Sequence, residues 1–123
     1  MNLADNKYIK YALCKEMLET VEIIKNFNPA VTKKYIEKIQ SKSGLFLIGE
    51  GSSRIFPAKH TIYQNHKKTC GFEICTEGSL QAMEYDLDNY AVFGSSNSGK
   101  TKELIQLFKI LKEKKHKFIV KSL

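Results

Sequence analysis

Two short segments carry the residue types that hold an anion. Gly49-Glu50-Gly51-Ser52-Ser53-Arg54 and Gly94-Ser95-Ser96-Asn97-Ser98-Gly99-Lys100-Thr101 are both rich in glycine and hydroxyl side chains. Glycine lets backbone N–H groups come close to a ligand, and serine and threonine hydroxyls can donate to phosphate oxygens. Where such a segment leads from a strand into a helix, the helix N-terminus adds partial positive charge. The second segment also spells Gly, four residues, Gly-Lys-Thr, the letters of a nucleotide-binding P-loop. A bound phosphate is the chemistry both segments suggest. Their surroundings must decide whose phosphate it is.

The elements around them read as an alternating series. LFLI, before the first segment, is a short apolar run bounded by turn residues, as a buried strand would be. IFPAKHTIYQNHKK after it is helical in pattern, with Pro57 expected in the first turn. CGFEIC reads as a strand, TEGSLQAMEYD as a loop into a short helix, and YAVF as a strand leading into the second segment. TKELIQLFKILKEKKH has the strongest helical period: Leu104, Leu107, Phe108 and Leu111 share one side, with Ile105 beside them. KFIVKSL reads as a last strand. Alternation of this kind predicts an α/β fold, a three-layer αβα sandwich on a parallel sheet of flavodoxin or Rossmann type. Ligands of such folds bind beyond the carboxyl ends of the strands, where both segments fall.

Residues 1–42 form a helical lead to this α/β region of residues 43–123. Leu13, Met17, Val21 and Ile24 recur at helical spacing, with Leu18 and Phe27 widening the stripe. Pro29 is placed to open a second helix whose face carries Val31, Tyr35, Ile36 and Ile39. Core or helix-packing contact is the expected role of these side chains.

A P-loop NTPase needs more than the loop, since an acidic residue on another strand helps to hold magnesium. KFIVKSL carries no Asp or Glu, and the NTPase reading gives GEGSSR no task. Another reading explains both segments. Gly49 to Ser53 as G-x-G-S-S, and Ser96 to Thr101 as S-x-S-G-x-T, resemble the sugar isomerase (SIS) domain, a phosphosugar-binding family. FEICTEGS (Phe72–Ser79) looks like the E-x-x-S-E segment of the branch containing the isomerase half of glucosamine-6-phosphate synthase, with Thr76 in place of the usual serine and Glu77 as the second acid. The resemblance covers roughly residues 14 to 123.

It implies that Ser96, Ser98 and Thr101 grip the phosphate, with Asn97 in the same loop. Ser52 and Ser53 would contact phosphate or sugar, and Gly51 and Gly99 would allow close backbone approach. The implied function is binding of a hexose or aminosugar phosphate, as part of an aldose–ketose isomerase or an aminosugar-phosphate deaminase or synthase. The implied partner is the sugar phosphate, with no cofactor, in a homodimer or larger homo-oligomer. A regulatory module that senses a sugar phosphate without converting it is the alternative. Lys100 stands where the family often has Glu, and Arg54 and Ile55 stand where the synthase has aromatic and histidine residues, so the sugar is left open.

Proton transfer between sugar carbons needs an acid/base beside them. Glu77 is the leading candidate, with a structural hydrogen-bond acceptor as its competing role; Glu50, His60 and His66 follow. The carboxylate that the branch uses lies in a later E-x-G-x-A-like segment absent before Leu123, so the α/β domain is expected to be incomplete at its C-terminal side.

Bulk properties narrow the classes. The 123 residues suit a single domain, 42% apolar and 27% charged. No run approaches the roughly 18 apolar residues of a membrane helix, and the start lacks a secretory apolar core, which predicts a cytoplasmic protein without membrane partners. Cys14, Cys70 and Cys75 lack framework or zinc spacing and are expected as small buried side chains, with no metal site. The net charge is +7, yet Arg54 is the only arginine, and eight lysines against two glutamates lie between Lys100 and Lys121. A solvated lysine face explains this better than nucleic-acid recognition.

Overall fold

The computed structural model describes residue 2 and residues 4–122. Four strands, β1 (Gly44–Gly49), β2 (Glu73–Glu77), β3 (Tyr90–Ser96) and β4 (Phe118–Ser122), form one sheet in the order β2-β1-β3-β4, every neighbouring pair parallel. The helices are α1 (Asn6–Ile9), α2 (Ala12–Lys25), α3 (Lys33–Gln40), α4 (Ser52–Lys68), α5 (Ser79–Ala82) and α6 (Lys102–Glu113), with a 3-10 turn over Pro29–Thr32. The chain is α/β. Strand order reverses at the β1/β3 pair: the chain leaves β1 outward to β2, then returns to β1's other side as β3.

Strand alternation assigns the two faces of the sheet. Phe46 and Ile48 of β1 and Val92 of β3 share a buried cluster with Leu87, Ala82 of α5, and Leu104, Leu107 and Leu111 of α6. Phe108 packs against that cluster, and Ile105 is exposed, so the helical stripe of α6 falls where its period predicts. Leu47 and Phe93, of opposite parity, border α4 through Pro57 and Ala58.

Two glycines exist for close approach. A Cβ on Gly94 would lie 2.4 Å from the Phe108 ring and 3.0 Å from Leu104, so α6 sits on bare backbone there. A Cβ on Gly44 would lie 2.7 Å from the Tyr90 ring. That ring crosses β1 to bring the Tyr90 hydroxyl 2.8 Å from Glu73 Oε2 on β2, which ties three strands together at their amino ends.

The elements depart from expectation at several ends. Gly51, at φ 53° and ψ −139°, caps α4, so the helix starts at Ser52 and Pro57 falls in its second turn rather than its first. Having no N–H, Pro57 cannot bond the Ser53 carbonyl as a helix interior would. β2 begins at Glu73 rather than Cys70, because Thr69 (φ 50°) and Gly71 (φ 64°) turn the chain first. Cys70 is exposed, not buried; Cys14 and Cys75 are half-buried, and all three thiols are free. β3 runs on past YAVF through Gly94, Ser95 and Ser96.

The chain divides into two compact units, Met1–Lys33 and Lys34–Leu123, whereas the sequence suggested a boundary at 42/43. The first unit holds α1 and α2. Its stripe is helical as expected, but Leu13, Met17, Val21, Ile24 and Phe27 are all about half or more exposed rather than packed in a core. A 14-residue helix cannot bury such a stripe by itself; only another surface can.

Gly94→Ala is expected to destabilise the chain by about 1–3 kcal/mol through overpacking, read as a lower urea midpoint. Adding Phe108→Leu should recover part of the loss. A second expectation concerns Tyr90, whose ionisation is pushed up to about 12, first by its hydrogen bond to Glu73 and then by burial. The stabilisation from the neutral phenol is complete below its unfolded value near 10 and is lost as pH rises through about 12. Ultraviolet titration should show one tyrosine ionising late, and Tyr90→Phe should remove that step.

Candidate functional site

The two glycine–serine segments leave the carboxyl ends of adjacent strands, with Gly49 opposite Ser95 in the β1–β3 register. A cleft of about 430 Å³ lies between them, lined by Ser52, Ser53, Phe56, Pro57, Ser95 and Asn97. Ser52 and Ser53 are the first residues of α4, so their N–H groups have no acceptor within the helix. No acidic residue occupies that first turn. A Cβ at Gly51 would meet nothing within 4 Å, so the backbone there is open to a ligand.

The second segment splits between strand and turn. Gly94, Ser95 and Ser96 are strand, and α6 starts only at Lys102 with Thr101 as its cap. Ser96 is 6% exposed, and its hydroxyl lies 2.8 Å from the Thr101 hydroxyl while accepting the Gly99 N–H at 3.1 Å. Ser98 Oγ accepts the Lys100 N–H at 3.2 Å. Gly99 takes φ 65°, the left-handed conformation this turn requires. These bonds preorganise the loop without exhausting it. Ser98 accepts and keeps its O–H, and the Ser96–Thr101 pair uses one hydroxyl hydrogen and leaves the other.

Of the residues singled out from sequence, Ser52, Ser53 and Asn97 therefore line one cleft. Ser96 and Thr101 close the base of the second loop instead. Ser95 and Phe56 line the cleft and were missed. Strand parity held the signal for Ser95: if β3 continues through GSS, Ser95 follows Phe93 to one face and Ser96 turns to the other.

The acid/base candidates are held elsewhere. Glu77 Oε1 accepts the Gly78 N–H at 3.0 Å and lies 3.8 Å from Arg54 Nη1. Glu50 Oε1 accepts the Ser79 N–H at 2.8 Å, joining the first loop to the start of α5. Thr76 donates to the Leu47 carbonyl at 2.8 Å, which uses the hydroxyl inside the sheet. His60 and His66 are exposed along α4, and His116 Nε2 lies 2.6 Å from the Leu87 carbonyl. None of these side chains lines the cleft. Burial, then the neighbouring Glu73, raises the Cys75 thiol above its usual range, so it is a poor nucleophile. Among the described residues no three His, Cys, Asp or Glu side chains gather as a metal site, and no helix is long and apolar enough to cross a membrane.

No protein-family model, curated protein or solved structure matches this chain.

Ser96→Ala leaves the Gly99 N–H and the Thr101 hydroxyl without their partner. A loss of about 1–3 kcal/mol is expected. The amides of Gly99 and Lys100 should then exchange hydrogen faster, while those at the centre of β1 keep their protection.

Proposed function

We propose that the chain binds a sugar phosphate, hexose or aminosugar, in the cleft between the two serine loops, in the manner of an SIS domain. The observation that carries this reading is the placement of both loops at the carboxyl ends of β1 and β3, where the strand order reverses. Open α/β sheets bind ligands at that point. The order β2-β1-β3-β4 also begins the flavodoxin-like order, which supports a three-layer αβα arrangement of the SIS type.

In this reading the phosphate sits at the N-terminus of α4. The N–H groups and hydroxyls of Ser52 and Ser53 face it on one side, and Asn97 and the spare Ser98 hydroxyl on the other. Ser95 and the Ser53 carbonyl, to which Pro57 cannot donate, are left for sugar hydroxyls. The bare apolar stripe on α2 suits self-association. The engagement of Glu50 and Glu77 by backbone N–H groups favours a second reading, in which the site retains the ligand without moving its protons. The P-loop reading fits less well: a P-loop puts its Lys and Ser/Thr where the helix begins around the phosphates, and here Gly94 is strand, packed under α6.

Thermal-shift titration tests the proposal with fructose 6-phosphate, glucosamine 6-phosphate, inorganic phosphate and Mg-ATP. At one hundred times its Kd a ligand stabilises the native state by about 2.7 kcal/mol. Sugar phosphates should raise Tm, and a Ser52→Ala, Ser53→Ala variant should lose most of the shift. A shift with Mg-ATP alone would sink the proposal.

A further inference from the structure

We infer that Phe56 positions the sugar in the serine cleft, its aromatic face stacked on the C–H face of a closed sugar ring. The inference rests on the phosphosugar reading and deepens it. Phe56 is 74% exposed, more than any other large apolar side chain among the described residues. It nevertheless lines the cleft, with Ser52, Ser53, Pro57, Ser95 and Asn97. It has no place in the buried cluster under α6, and among the described residues no second ring or cation pairs with it. The fold thus leaves its largest open apolar surface at the lip of a cleft whose other walls are mostly hydroxyl and amide.

Helix geometry explains why the ring is there. Ser52 and Ser53 precede Phe56 by four and three residues within α4, so the three share one side of the helix. A helical side chain leans back over the turn before its own Cα, which carries the Phe56 ring towards the phosphate-binding serines. Pro57 follows at once, and its locked φ stiffens the backbone beside the ring. A cyclic sugar has the matching two-part surface. Its hydroxyls radiate mainly from the edge of the ring, within reach of Ser95 and Asn97, while its C–H bonds line the faces. Those hydrogens carry slight positive charge, and an aromatic face is negative, so the two attract beyond the apolar area they cover. An acyclic polyol phosphate offers the same hydroxyls without a face to stack. The cleft volume of about 430 Å³ is within the range of small-molecule sites.

Calorimetric titration of the native chain, Phe56→Leu and Phe56→Trp with glucose 6-phosphate and its acyclic counterpart sorbitol 6-phosphate tests the inference. Circular dichroism reports whether each variant keeps its fold. A ring is favoured over a flexible chain by preorganisation alone, so the decisive quantity is the change in the affinity ratio on substitution. Phe56→Leu keeps an apolar side chain but loses the aromatic face, and should lower the ratio about fivefold; Phe56→Trp should keep or raise it. Proton spectra of bound glucose 6-phosphate should show ring C–H resonances moved upfield by the aromatic ring current in the native chain and in Phe56→Trp, and not in Phe56→Leu. An unchanged ratio and unshifted resonances overturn the inference and leave the phosphosugar reading standing. If Phe56→Leu also sediments as a smaller species, the ring belongs to a contact between copies instead. Tighter binding of uridine 5′-phosphate than of either sugar phosphate, lost in Phe56→Leu, overturns the inference in favour of a stacked base. If no sugar phosphate binds the native chain, the phosphosugar reading fails and the inference with it.

Discussion

The parallel pairing of β1 with β3 is the constraint on which the site depends. The two strands run in register from Gly44 opposite Tyr90 to Gly49 opposite Ser95. They are distant in sequence, and the intervening chain is spent on α4, β2 and α5. Because both strands end at the same level, the turns that follow open side by side. The helices they start then leave along opposite faces, α4 beside Leu47 and Phe93, α6 beside Val92 and Gly94. A gap between diverging helix N-termini is the geometric result. Hydrogen bonding within one loop could not create it; it follows from strand order.

Within that gap, parity decides which hydroxyls face the cleft. β3 extends far enough that Ser95 and Ser96 obey the two-residue alternation of a strand rather than the freedom of a loop. Ser96 is turned to the α6 side, buried, and bonded to Thr101 and Gly99. Ser95 is on the α4 side with Ser53 and Pro57. The first loop behaves differently, since Gly51 breaks the strand at once and puts Ser52 and Ser53 into a helical turn. Two segments that look equivalent as letters do separate work: one presents its serines, and the other spends part of its set on holding shape.

Much of this was legible in the residues. The strand–helix alternation, the α6 stripe and the location of both loops at strand ends follow from periodicity and turn residues, which are local properties. Strand order is not local. Nothing in LFLI or YAVF says that they are neighbours, and the side-by-side loops depend on it. The extension of β3 was missed because Gly94, Ser95 and Ser96 have low strand propensity, which pairing with β1 and β4 overrides. The late start of β2 was missed because Thr69, a β-branched residue, adopts the left-handed conformation usually left to glycine. The stripe of Leu13, Met17, Val21 and Ile24 correctly announced a helix, but periodicity names only the face to be covered and not what covers it.

The two helix N-termini at the gap are not equally suited to an anion. The first turn of α6 already holds Glu103, whose charge answers the helix dipole from within the chain. Its cap, Thr101, makes no side-chain bond to the helix and is occupied by Ser96. The first turn of α4 has no acidic residue, is headed by an open glycine, and contains the chain's only arginine. Arg54 is in turn set against Glu77, so the positive end of α4 is tempered at the sheet side and left uncompensated at Ser52 and Ser53. Charge and exposure therefore agree with the geometry in making the α4 terminus the better suited of the two for the anion proposed above. The lysines of the last segment add a general positive field, but the arrangement that singles out one position lies in the six residues from Gly49 to Arg54.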